Sequence, residues 1–174
     1  MFASENLIAE SFGAIAVIFN FIGYRQQDIN RYRLISAIAL ASISIHFFLL
    51  GALAAGYGCA LACIRNIVAM RFRGKSILIL FILANLGFFI YEWFYLQSAW
   101  IILFAYTSSM IFTVGSIVLT SALRIRQWFI LAEVLGLLYA VLVGSIFGTI
   151  FNTINLSSIF YTLYKENRKT NKVC

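Results

Sequence analysis

Residues 43–75 read ISIHFFLLGALAAGYGCALACIRNIVAMRFRGK. Two apolar runs meet at Gly51, and the second ends in the basic cluster Arg71, Arg73 and Lys75. A helix needs about 20 mostly apolar residues to cross ~30 Å of hydrocarbon. Each run is near that length, so the stretch reads as two antiparallel membrane helices joined by a tight turn. Glycine suits such a turn because it lacks the Cβ that penalises positive φ. The basic cluster then marks a cytoplasmic loop. His46, the only histidine of the chain, lies inside the first run and Arg65 lies inside the second.

The rest of the chain has the same character. Its 174 residues are 63% hydrophobic, 17% aromatic and 11% charged, with a formal net charge of +7. Soluble domains average about 25% charged and 45–50% apolar residues. A soluble globular domain is therefore excluded, and the lipid bilayer is the expected partner. The positive charge falls in short clusters between apolar runs, so nucleic acid is not an expected partner. Cys59, Cys63 and Cys174 form neither a secreted disulfide framework nor a zinc motif. The first apolar run follows MFASEN, which has no basic residue, and reads as a retained helix rather than a cleaved leader.

Seven spans fit the apolar pattern, at about residues 6–24, 34–51, 52–70, 76–93, 98–121, 127–143 and 145–164. Arg25, Arg31, Arg33, Arg71, Arg73, Lys75, Arg124, Arg126, Lys165, Arg168, Lys169 and Lys172 then lie on one side. The positive-inside rule makes that side cytoplasmic, with the N-terminus outside and the C-terminus inside. Trp93, Tyr95 and Trp100 are expected in an outer aromatic belt and Trp128 in an inner one.

Gly51 and Gly144 occupy matching junctions, and 144 − 51 gives a shift of 93. That shift lays RYRL (31–34) on RIRQ (124–127) and HFFLLGAL (46–53) on YAVLVGSI (139–146). The expected fold is therefore an all-α integral membrane protein of seven transmembrane helices. Two parallel three-helix repeats, 1–75 and 98–164, would be joined by a linker helix, 76–97, in a 3+1+3 order, with a basic tail at 165–174.

Ionisable groups inside spans are costly and generally face a bundle interior. At ~1.5 Å of rise per residue, Glu10 and His46 lie level near the outer side, and Arg65 and Glu133 lie level near the inner side. Two polar layers follow: an outer Glu10–His46 pair and an inner Arg65–Glu133 pair. Asn66, Asn152 and Asn155 add hydrogen-bonding groups, and the last two share a helical face. Each has a plainer reading. His46 and the asparagines also serve as helix–helix hydrogen-bond partners. Arg65 also snorkels to the interface, and Glu92 reaches it from the outer end of its span. Cys59 and Cys63 belong to a close-packed small-residue stretch.

HFFLLGALAAG (46–56), IRNIVAMRFR (64–73) and VGSIFGTI (143–150) resemble the YgjV-type bacterial inner membrane proteins. That resemblance implies an inner membrane location and no particular substrate. The helix order is similar to that of SWEET, PQ-loop and PnuC-type transporters. Unlike SWEET and PQ-loop repeats, this chain has no proline, so hinging would fall to glycines. The expected function is transport of a small polar solute by alternating access. Its path would be lined by His46, Arg65, Asn66, Glu133, Asn152 and Asn155. The alternative is a binding or accessory protein that does not transport. No enzyme motif, cofactor or metal site is expected, and association into a homo-oligomer is left open.

Overall fold

The computed structural model describes residues 2–26, 28–72, 74–119 and 122–170. Among these, all regular structure is helical: α1 (Phe2–Tyr24), α2 (Ile29–Leu49), α3 (Leu53–Val68), α4 (Lys75–Phe94), α5 (Ile102–Val118), α6 (Ala122–Leu142) and α7 (Ile146–Thr170). Local chemistry sets several of the ends. Asp28 caps α2, its Oδ1 accepting the Arg31 N–H at 2.8 Å. At the other end of α2, Gly51 takes φ +72°, and the Ala52 N–H reaches back to the Phe47 carbonyl at 2.9 Å. Gly144 repeats this after α6, with φ +72° and the Ser145 N–H on the Ala140 carbonyl at 2.9 Å. Both are left-handed helix stops that satisfy otherwise orphaned carbonyls.

A Cβ added at Gly51 or Gly144 would meet nothing within 4 Å, so a substitution there tests the backbone alone. Gly51→Ala and Gly144→Ala should each cost about 1 kcal/mol in detergent unfolding. A neutral result at either site would mean that its turn is not left-handed.

The helices close into one ring in the spatial order α1, α2, α3, α5, α6, α7, with α7 returning to α1. The remaining helix, α4, packs outside against α3 and α5. Small residues allow the close approach: Ala16, Ala39, Ala54 and Ala140 are fully buried in the core, between the larger Ile43, Tyr106 and Phe151. The outer faces are apolar, as with Leu80 and Leu83 on α4 and Leu131 and Val141 on α6.

Two expectations need correction. Seven helices are present among the described residues, and of these four are long and apolar enough to cross a membrane by length and composition: Asn30–Leu49, Lys75–Phe94, Arg124–Leu142 and Ile146–Lys165. Within the described residues, the apolar segment Leu7–Gly23 of α1 and the helices Leu53–Val68 and Ile102–Val118 are shorter. Sixteen residues of α3 rise only ~24 Å. Sequence windows overcounted because apolar connecting residues such as Ala69, Met70 and Ile101 were merged into neighbouring helices.

The 3+1+3 arrangement also falls. No two three-helix repeats stand apart about a linker, because α3 packs on α5 and α1 on α7 to close a single ring. The matching glycine turns do not require duplication, since a left-handed glycine is a common local way to end any helix. α7 runs on through residues 165–170, and 171–174, including Lys172 and Cys174, lie outside the described residues, as does Arg73.

Candidate functional site

The ring encloses a cavity of about 270 Å³, near the lower end of ordinary small-molecule sites at ~300–1,000 Å³. All six ring helices line it, and α4 does not. Its lining reaches the basic end of the bundle at Gln26, Arg33 and Arg126. Towards the other end it stops at Phe47 and Tyr139, whose rings meet edge to face with centroids 6.5 Å apart. Beyond Tyr139 lies a second cavity of about 260 Å³, bounded by Gly51, Glu92, Ser98 and Val143. Tyr139 borders both.

Arg65, Asn66, Glu133, Asn152 and Asn155 all line the central cavity. Arg65 is 4% exposed on α3 and donates through Nη1 to Thr113 Oγ1 on α5 at 3.1 Å. Glu133 is 3% exposed on α6, and its Oε1 accepts from Asn155 Nδ2 on α7 at 2.8 Å. Asn155 in turn accepts from Asn20 Nδ2 on α1. The level Arg65–Glu133 pairing is not made, since Arg65 Nε and Glu133 Oε2 are both buried without a hydrogen-bond partner. Asn66 Nδ2 donates to Ser36 Oγ on α2 at 3.2 Å, and Asn152 Nδ2 to the Gly148 carbonyl at 2.7 Å.

His46 is placed elsewhere. It is fully buried beyond Phe47, away from the cavity lining. Nδ1 donates to the Ala9 carbonyl on α1 at 2.8 Å, and Nε2 is hydrogen-bonded to Ser145 Oγ at 2.9 Å. The same serine oxygen accepts the Gly148 N–H at 2.9 Å. Both ring nitrogens are thus engaged away from the half-buried Glu10, and His46 joins α1 and α2 to the α6–α7 turn.

Other polar groups, placed at the membrane surface from the sequence or not singled out there, lie in the interior. Glu92 does not reach the interface: it is 3% exposed and accepts from Tyr106 at 2.8 Å and Ser98 at 3.3 Å. Arg33 is also buried, its Nη1 donating to the Ala69 carbonyl at 2.9 Å where α3 ends. On α4, Asn85 accepts from Ser109 Oγ of α5 at 2.5 Å. Asn20 and Asn85 were legible as lone amides in apolar helices, a pattern that marks inward-facing partners. Among the described residues, no three His, Cys, Asp or Glu side chains gather where a metal could be held.

An all-α bundle with apolar outer faces and its polar groups turned inward defines a lipid-embedded multi-pass membrane protein. Residues 7–170 match the Imp-YgjV family of bacterial inner membrane proteins, and the chain belongs to that family. It is similar to inner membrane protein YgjV of Escherichia coli (strain K12), at 30% identity over 80 residues. That match covers 46% of this chain and 44% of the relative, so it spans less than half of the relative's length. No solved structure matches. The likeness to SWEET, PQ-loop and PnuC-type proteins gains no support from these comparisons.

Proposed function

We propose that this inner membrane protein binds a small polar solute in the central cavity and transports it by alternating access. One observation carries the reading: two buried polar atoms of opposite character, Arg65 Nε and Glu133 Oε2, have no protein partner in side chains that line one cavity. A purely structural bundle gains by satisfying such groups internally, because each unpaired one costs about 1–3 kcal/mol or more. A solute that supplies the missing partners removes that cost.

The cavity's extension to the basic end supports a cytoplasmic opening, since Arg33 and Arg126 line it there and basic loops favour that side. Tyr139 is the barrier between the two cavities in this reading, and alternating access consists of its displacement once solute is bound. A binding protein that does not transport is the second reading. The closure at Phe47 and Tyr139 favours it, because a cavity reached from one end suffices for binding.

The test is a liposome experiment with purified protein and a panel of radiolabelled sugars, nucleosides, vitamins and amino acids. Transport predicts saturable uptake and counterflow of at least one compound. In Tyr139→Ala the two cavities merge, and uptake of that compound should become non-saturable and lose counterflow. Binding without uptake would select the second reading, and no binding across the panel would remove both.

A further inference from the structure

Building on the proposed solute site, we infer that the cavity takes a zwitterion: a small molecule carrying both a carboxylate and an ammonium group. Arg65 and Glu133 lie on α3 and α6, which are not neighbours in the ring because α5 stands between them. Each is held by a neutral group on an adjoining helix, Thr113 for the guanidinium and Asn155 for the carboxylate. Each spends one polar atom on that anchor and leaves another buried without a partner. Two buried opposite charges could instead neutralise one another by direct pairing. Here the anchors keep one charge on the α3–α5 wall and the other on the α6–α7 wall.

The ligand's chemistry follows from what those walls lack. A neutral solute leaves both charges without a counter-charge. A simple carboxylate answers Arg65 and adds a like charge beside Glu133, and a simple amine does the converse. A zwitterion answers both, with its carboxylate towards Arg65 and its ammonium towards Glu133, and it enters without net charge. The closed end of the cavity is apolar, with Phe47, Tyr139 and Phe151 facing the space left for the remainder of the molecule. At about 270 Å³ the cavity suits a molecule of amino-acid size.

The experiment is binding to purified full-length protein in detergent, read by calorimetry and by thermal shift. The probes are the common L-amino acids and the ω-amino acids β-alanine, 4-aminobutyrate and 5-aminovalerate, which vary the spacing of the two charges. Each hit is compared with its deaminated acid and its decarboxylated amine. Sugars and nucleosides form the neutral set. Zwitterions should bind roughly ten- to hundredfold more tightly than either singly charged analogue, the range that charged hydrogen bonds provide. Arg65→Gln and Glu133→Gln, near in size to the native side chains, should each weaken zwitterion binding by about that factor. Glu133→Gln should in addition narrow or reverse the preference over the deaminated acid, which mere loosening of the cavity would not do.

The ligand-free melting temperature of each variant checks that it is folded. If either fails that check, the comparison of zwitterion with singly charged analogues in the wild type decides the matter. Equal affinity for a zwitterion and its deaminated acid would overturn the assignment. Binding of sugars or nucleosides without zwitterions would overturn it and leave the central site standing. Silence across all sets would remove the site as well.

Discussion

His46→Ala is expected to destabilise the protein by about 3–4 kcal/mol, read by thermal or denaturant unfolding in detergent. The imidazole is fully buried, and its two nitrogens hold the Ala9 carbonyl and Ser145 Oγ. Its ring also lies against Phe47 and Phe147, with centroids 5.5 and 6.3 Å away. Alanine removes all of these contacts and leaves a void where α1, α2 and the α6–α7 turn meet. His46→Gln keeps a donor and an acceptor and should lose less. Glu10→Gln should change stability little, because neither imidazole nitrogen is engaged with Glu10. A loss below about 1 kcal/mol for His46→Ala would mean that the imidazole does not tie these elements together.

Gly13→Ala is the second large effect, at about 2–3 kcal/mol of lost stability. A Cβ at Gly13 would lie 2.5 Å from Phe147 Cβ and 3.1 Å from His46 Nδ1. The phenylalanine Cβ is bonded directly to the backbone, so relief requires α7 to move away from α1. Gly87→Ala on α4 is the control. Nothing lies within 4 Å of the added carbon, and the helix should gain roughly 0.5–1 kcal/mol from the more restricted residue. If both substitutions behaved alike, the close approach of α1 and α7 would be refuted. Glycines such as Gly13 were the available hinges in a chain without proline. Its surroundings show a packing contact instead.

Much of the site was half legible. Depth along a helix is readable from residue spacing, and it placed Arg65 and Glu133 at one level. Both do line one cavity, but they are not paired. Depth also placed Glu10 beside His46, whereas the imidazole is engaged by a backbone carbonyl and by a serine 99 positions along the chain. Level is one coordinate and azimuth is another. Each residue turns the helix by ~100°, so a shift of one position points a side chain to a different neighbour. Glu92 shows the same gap. It was assigned to the interface from its place near a helix end, and its direction around the helix gives it Tyr106 instead.

Composition, together with the ~20-residue length of the apolar runs, was enough to establish a helical membrane protein. A chain that is 63% hydrophobic and 11% charged cannot cover a soluble core, and backbone groups in lipid must bond within helices or closed barrels. The capping aspartate and the two glycine stops are equally local, because a single residue's side chain or φ preference ends or begins a helix. What the tertiary structure decided is which helices are long enough to span, that six of them form one ring, and which polar groups meet inside it. Those outcomes depend on contacts between residues up to 135 positions apart, such as Asn20 with Asn155. They are set by the rotation and neighbour order of packed helices, which no local pattern along the chain encodes.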